Sequence, residues 1–352
     1  MNFFFRLLLV PFILFFLSVG SGADAASLLP VLATSHKFVP AQAAKKKAGR
    51  SHIVRHKKRR HRLISARSLE KKLSSRSAII MDAETARVIY ALQPDRPAQP
   101  ASTIKVLTGL IAIRALKDYE MVKTSRRAAN MPRSKVYLRR GKSYAADDLI
   151  NAVLLSSAND ASVALAEKIA GTEKDFARIM TYKARELGAR HTVCKSATGL
   201  TRRGQKSTVR DLAIIFNKAM NNKEFAQRIG RTRIRTRQGK LLRNHNKALW
   251  RIAGSEGGKT GYTSAARQTY VGRFTRDEDT IVVAIMGSET MWDDISRLVD
   301  YGFARKEQIR LAAAAHHKTA SAEKPALELA GLESSRLGSP RILATVSKKS
   351  KL

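Results

Sequence analysis

The sequence predicts an α+β fold, an antiparallel sheet flanked by helices with an all-helical subdomain. Three observations predict it. Two β-type runs open the ordered part, a series of helical patterns fills the middle, and strand patterns return before a last helix. Strands segregated from helices in this way pair antiparallel, because no strand–helix–strand alternation is present to build a parallel sheet.

Order is expected from Ser77. SAIIMDA and RVIYALQ are joined by ETA, a hairpin signal. A helix is expected to start at Ser102. DDLINAVLL, residues 147–155, has helical periodicity and breaks at SSAND. Further helices are expected over 161–170, ending at Gly171, and over about 173–187, ending at Gly188. Ser207 is placed as the cap of TVRDLAIIFNKAM. After Gly230 the pattern turns to strands: RTRIRTR, then GGKTGYTSAARQTYVGRFTR, then DTIVVAIMG. A helix over DDISRLVDYGF closes the domain near Arg305.

The ends read differently. Residues 1–25 join Arg6 to a short apolar run and finish Ala23-Asp24-Ala25, the pattern of a secretory signal cleaved after Ala25. Residues 26–76 are read as a basic linker, and 306–352, rich in Ala, Lys and Ser, as a flexible tail. The folded domain is thus expected over 77–305. No segment after the signal approaches the roughly 20 apolar residues of a spanning helix, so no transmembrane helix is expected in the mature chain.

Charge narrows the partners. Lys and Arg number 66 against 28 acidic residues, a formal net charge of +38, and such a field attracts polyanions. Export and the lack of stacking aromatics in the basic runs argue against nucleic acid. Residues 45–72 are read as a tether to anionic envelope polymers. His52, His56 and His61 lie in this stretch without Cys or carboxylate companions and are read as linker, not as metal ligands. The single cysteine, Cys194, permits no internal disulfide and reads as a small buried hydrophobe.

The chemistry concentrates in three short motifs. In PASTIKVLTG, Ser102 and Lys105 stand three apart, so on a helix they share a face and can touch. A serine hydroxyl needs a base, and burial beside a second cation lowers a lysine's pKa enough for that role. In LLSSANDAS, Ser157 and Asn159 put a hydroxyl and an amide on a turn. In SEGGKTGYTS, Lys259 and Thr260 offer a cation and a hydroxyl suited to a carboxylate, and Gly261 permits close backbone approach by a ligand. Ser-x-x-Lys, a Ser-x-Asn element and Lys-Thr-Gly together are the signature of penicillin-binding proteins and β-lactamases.

Over residues 77–305 the sequence resembles the serine-type D-alanyl-D-alanine carboxypeptidases, the low-molecular-mass penicillin-binding proteins of peptidase family S11. SAIIMDAETARVIYALQPDRPAQPASTIKVLTGL, SATGL, STVRDLA and NHNKALW carry the resemblance beside the three motifs. It implies a β-lactamase/transpeptidase-like fold. It implies that Ser102 attacks the bond between two terminal D-alanines of a peptidoglycan stem peptide, with Lys105 as base and Ser157 as proton relay. Asn159 would orient Lys105 and the substrate amide. Lys259 would supply positive potential, Thr260 hold the terminal carboxylate, and the strand from Gly261 through Tyr262 and Thr263 line the substrate. Backbone N–H groups of Ser102 and Tyr262 would form the oxyanion hole. No metal or organic cofactor is implied, and β-lactams are implied as covalent inhibitors.

Two departures bear on specificity. Many relatives carry an arginine just before the final helix that helps hold the substrate carboxylate, whereas this chain has GSETMWDDIS there. Arg267 stands where relatives often have Gly, and is a candidate replacement. Only a short tail follows Arg305, a layout closer to the family's D,D-endopeptidases. A β-lactamase reading lacks its added general base, since no Glu-x-x-Leu-Asn-like element follows Ser157. A non-catalytic wall-binding protein is the reading from outside the enzymes.

Overall fold

The computed structural model describes residues 65–334, with side chains as far as 315. The segments expected as signal and basic linker, apart from residues 65–76, and the last residues of the tail lie outside this range.

Five antiparallel strands make the main sheet: β1 (Ser77–Asp82), β2 (Val88–Leu92), β7 (Ser255–Thr263), β8 (Arg267–Arg276) and β9 (Asp279–Ser288), in the order β2-β1-β9-β8-β7. Side chains alternate across a strand, and here both faces are covered. Ile79 and Met81 of β1, with Val282, Ala284 and Met286 of β9, enter one core; Ala78, Ile80, Ile281, Val283 and Ile285 enter the other. That double burial explains the unbroken apolar runs AII and IVVAIM, which a sheet wet on one side would have interrupted with polar residues.

The first core belongs to the helical subdomain. It contains α2 (Lys105–Ala115), α4 (Ala146–Leu154), α5 (Asn159–Ala170), α6 (Glu173–Glu186) and α7 (Val209–Met220), with the short α3 (Arg126–Ala129) and α8 (Lys223–Ile229) beside them. Helix α2 is buried on every side from Lys105 to Ala112, which is why that stretch is almost wholly apolar. Two small hairpins complete this half, β3 (Met121–Lys123) with β4 (Ser143–Ala145), and β5 (Arg233–Arg235) with β6 (Leu241–Arg243).

The second core is closed by α1 (Ala66–Glu70) and α10 (Met291–Ser334), with Ala248 of the short α9 (Ala248–Arg251). Gly302 of α10 lies so close to the sheet that a Cβ there would stand 2.7 Å from Ile281 Cδ1. Farther along, Lys306 bridges Asp82 and Asp279 at 2.8 and 3.2 Å.

Four sequence expectations are corrected. Order begins before Ser77: Ser65 caps α1, Leu69 is fully buried, and Ser74 bonds Asp294 through its N–H at 3.0 Å and its hydroxyl at 2.8 Å. One turn with a single apolar anchor inside a basic stretch left too weak a periodic signal. The helix expected to close near Arg305 continues to Ser334, because KEQIRLAAAA is built of strong helix formers and Lys306 and Arg310 anchor it to the sheet. Helix α8 was not expected; its cap is Asn222, which accepts from Phe225 N. The cap of α7 is Thr208 instead of Ser207, whose hydroxyl pairs with Thr192 at 2.9 Å.

Candidate active site

Ser102 sits in a 3-10 turn, Ala101–Ile104, that runs directly into α2. The turn is pinned from both sides. The Pro100 carbonyl accepts from the hydroxyls of Thr103 at 2.6 Å and Thr269 of β8 at 3.0 Å. Ala101 is held at a φ of 50°, the left-handed region that non-glycine residues avoid. Ser102 caps no backbone N–H, so its hydroxyl is left to Lys105, as the three-residue spacing predicts.

Lys105 is completely buried. Its Nζ donates to Ser102 Oγ at 2.8 Å, Asn159 Oδ1 at 2.8 Å and the Thr198 carbonyl at 2.7 Å. Burial holds its pKa well below the ordinary lysine value, and the Lys259 charge lowers it further; Asp160 and Glu173 pull the other way. Lys259 donates to Ser157 Oγ at 3.0 Å and to the Thr260 carbonyl at 2.9 Å, and burial pushes it down to about 7. Two ammonium groups that cannot both keep their protons cheaply thus face the two serine hydroxyls.

The Ser157 turn is fixed by its surroundings. Ser157 has a φ of 56°. Asn159 opens α5; its N–H donates to the Ser134 carbonyl at 2.7 Å, and its Nδ2 to the carbonyls of Pro132 and Arg133 at 3.0 and 3.1 Å. The buried Asp160 carboxylate accepts from Val136 N and Leu138 N, which clamps the 132–138 segment to the start of α5.

Glycine placement explains the remaining contacts. A Cβ on Gly261 would stand 2.7 Å from Ser102 N and 2.5 Å from Thr269 Oγ1. The close approach that Gly261 permits is therefore made first by the turn that carries Ser102, and not only by a ligand. Gly199 has a φ of 78°, and a Cβ there would stand 1.9 Å from the Ala101 carbonyl oxygen. Gly199→Ala is expected to cost on the order of 2 kcal/mol or more. A Tm about 4–8 °C lower in thermal unfolding would record it.

These residues open onto a cleft of about 560 Å³, lined by Ser102, Ser157, Asn159, Thr260, Gly261 and Tyr262. Thr263 is not among its lining; its hydroxyl accepts from Thr201 Oγ1 and Ala266 N. Arg267 is likewise elsewhere, paired with Glu289 at 2.9 Å on the surface. Cys194 is buried, and burial pushes its thiol up to about 12. Among the described residues no cluster of metal-ligating side chains occurs, and no helix is long and apolar enough to cross a membrane.

Sequence reasoning missed several contributors. The Thr198 carbonyl is the third acceptor around Lys105, and SATGL, where it lies, was noticed only as a block. The cleft also takes in Arg133, Ser134, Leu200, His245, Lys247 and Gln268, and Met291 and Trp292 of α10. His245 is pushed down to about 4, first by desolvation and then by the charges of Lys259 and Lys105. His245 and Lys247 fall in NHNKALW, and Met291 and Trp292 in GSETMWDDIS, but nothing in their spacing assigns them to the cleft wall.

The arrangement can deprotonate a serine, stabilise negative charge beside it and return a proton to a leaving group. The chain is 36% identical over 241 residues to the D-alanyl-D-alanine carboxypeptidase DacB2 of Mycobacterium tuberculosis, covering 65% of this chain and 82% of that one. It is 29% identical over 250 residues to the D-alanyl-D-alanine carboxypeptidase DacF of Bacillus subtilis, a match over 66% of this chain and only 63% of that relative's length. Its fold is similar to penicillin-binding protein D2 of Listeria monocytogenes in the ampicillin-bound form, with a TM-score of 0.61 and 26% identity, over 66% of this chain and 98% of that one. The model of the peptidase S11 family, described as D-alanyl-D-alanine carboxypeptidase, matches residues 46–290, and the chain belongs to that family.

Proposed function

We propose that this protein is a serine D,D-carboxypeptidase that removes the terminal D-alanine from peptidoglycan stem pentapeptides through an acyl-enzyme on Ser102. The observation that carries the reading is the fully buried Lys105 amine, 2.8 Å from Ser102 Oγ.

In this mechanism the neutral Lys105 takes the Ser102 proton as Oγ bonds to the carbonyl carbon of the penultimate D-alanine. The oxyanion rests on the N–H groups of Ser102 and Tyr262, in a site where each such donor contributes a few kcal/mol. Ser157, held by Lys259, relays that proton from Lys105 to the amide nitrogen as the C–N bond breaks and D-alanine leaves, so Lys105 is neutral again. Water then adds to the acyl ester as Lys105 takes its proton, and the ester bond breaks as that proton passes from Lys105 to Ser102 Oγ. Asn159 holds Lys105 through Oδ1 at 2.8 Å and orients the substrate amide. Thr260 and the charge of Lys259 receive the terminal carboxylate. No metal or organic cofactor enters. β-Lactams would be trapped at Ser102 by the same attack. The place of action is the cell envelope, reached by export through residues 1–25, with the part of 45–72 that precedes α1 as a tether to anionic polymers.

A second reading, cleavage of D-alanyl cross-links, has one observation in its favour. The segment where relatives carry a carboxylate-binding arginine contributes Met291 and Trp292 to the cleft, and Arg267 is neutralised by Glu289. Mass spectrometry of products from pentapeptide muropeptides and from D-alanyl-cross-linked dimers tests both readings. Loss of one D-alanine from the monomer, absent with Ser102→Ala, is the expected result. Cleavage of dimers with monomers untouched selects the endopeptidase. No Ser102-dependent product from either would leave a non-catalytic wall-binding protein.

A further inference from the structure

The cleft has no acidic lining residue. Two of its cations, Arg133 and Lys247, have no carboxylate partner among the described residues. The contrast with other arginines is clear: Arg127, Arg210 and Arg267 each face an acid. His245 adds no charge to the cleft at neutral pH, since it is pushed down to about 4. Outside the lysine pair, the positive charge at the mouth therefore rests on Arg133 and Lys247.

The two cations differ in what holds them. The Arg133 carbonyl accepts from Asn159 Nδ2 at 3.1 Å, and the next carbonyl, of Ser134, accepts from Asn159 N at 2.7 Å. Asp160 fixes the following residues through Val136 N and Leu138 N. The guanidinium thus grows from backbone locked to the Asn159 amide, which in the function proposed above orients the substrate amide. Lys247 follows His245, whose N–H donates to the Leu155 carbonyl at 3.0 Å, and so lies beside the approach to Ser157.

We propose that Arg133 is a specificity residue: it selects acyl-donor peptides whose residue before the acylated D-alanine carries a free side-chain carboxylate. A guanidinium matches a carboxylate with two parallel N–H···O bonds and has no such match with a carboxamide. The inference rests on the D,D-peptidase reading and adds the chemical class of donor to it.

The test uses the full chain and two acetylated X-D-Ala-D-Ala peptides, identical except that X ends in a carboxylate or in the corresponding carboxamide. Release of D-alanine gives kcat and KM for each. The wild-type chain is expected to prefer the acid by about three- to fivefold in kcat/KM, chiefly through KM. The preference should shrink in 0.5 M salt. Arg133→Gln should bring the ratio to about one, Arg133→Lys should keep part of it, and Lys247→Gln should leave it. A wild-type ratio near one, a ratio that survives Arg133→Gln, or a ratio lost equally with Lys247→Gln overturns the proposal while leaving the peptidase reading intact. Absence of Ser102-dependent release from both peptides overturns the two together.

Discussion

Ser102→Ala is expected to abolish D-alanine release and β-lactam trapping together. Removing a serine nucleophile in this kind of constellation costs roughly a million-fold in kcat, because the remaining groups act only through the atom that is gone. The fold should survive. Ser102 contributes no cap and no core packing, and its hydroxyl bonds only Lys105, which keeps Asn159 and Thr198 as acceptors. Intact-protein mass spectrometry after incubation with a penicillin checks the trapping. An adduct on the wild-type chain and none on the variant, with equal Tm, is the expected outcome. An adduct that persists on the variant would place the nucleophile elsewhere.

Much of this site was legible in the sequence because its chemistry depends on local spacing. Ser102 and Lys105 meet through one helical turn, and no tertiary contact is needed to bring them together. Lys259, Thr260 and Gly261 follow one another along one strand. The sheet was legible for a related reason: runs such as IVVAIM, apolar on consecutive residues, can only be strands covered on both faces or a buried helix, and their length decides between them.

The contacts that complete the site are tertiary and left no local mark. Thr198 reaches Lys105 across 93 positions, and Lys259 reaches Ser157 across 102. Gly199 and Gly261 look like ordinary turn and strand glycines until Ala101 and Ser102 are packed against them. The boundaries erred where a stabilising contact spans the chain. Ser74 is ordered by Asp294, 220 positions away, and nothing near Ser74 in sequence signals that. Thr263 was suggested by motif adjacency alone; it lies outside the cleft lining, and its hydroxyl accepts from Thr201 and Ala266.

Lys259→Met should make the protein a poorer enzyme and, below neutral pH, a more stable one. The lysine's pKa is about 7 in the folded chain because of burial, against about 10.4 for a lysine in an unfolded chain. Between those values the unfolded chain holds a proton that the folded chain has released, so stability rises with pH across that window. Below about 7 both states are protonated and the folded chain bears the whole cost of a buried ammonium. Methionine removes this cost and fills similar volume, at the loss of the hydrogen bonds to Ser157 and the Thr260 carbonyl, about 1–2 kcal/mol that does not vary with pH. The Tm difference, variant minus wild type, should therefore be most positive near pH 6 and shrink steadily toward pH 10. Each kcal/mol moves Tm by about 2–4 °C in a domain of this size. Activity should move the other way. Without the neighbouring charge Lys105 regains part of its basicity, burial still holding it below the ordinary lysine value, and the rising limb of the acylation rate shifts to higher pH. Loss of the positive potential itself should cost a further 100- to 1000-fold or so. A Tm difference flat across pH would show that Lys259 is not held near its titration point by burial. The acylation limb is a separate check: a limb that stays in place in the variant would remove the claim that one buried lysine sets the protonation of the other.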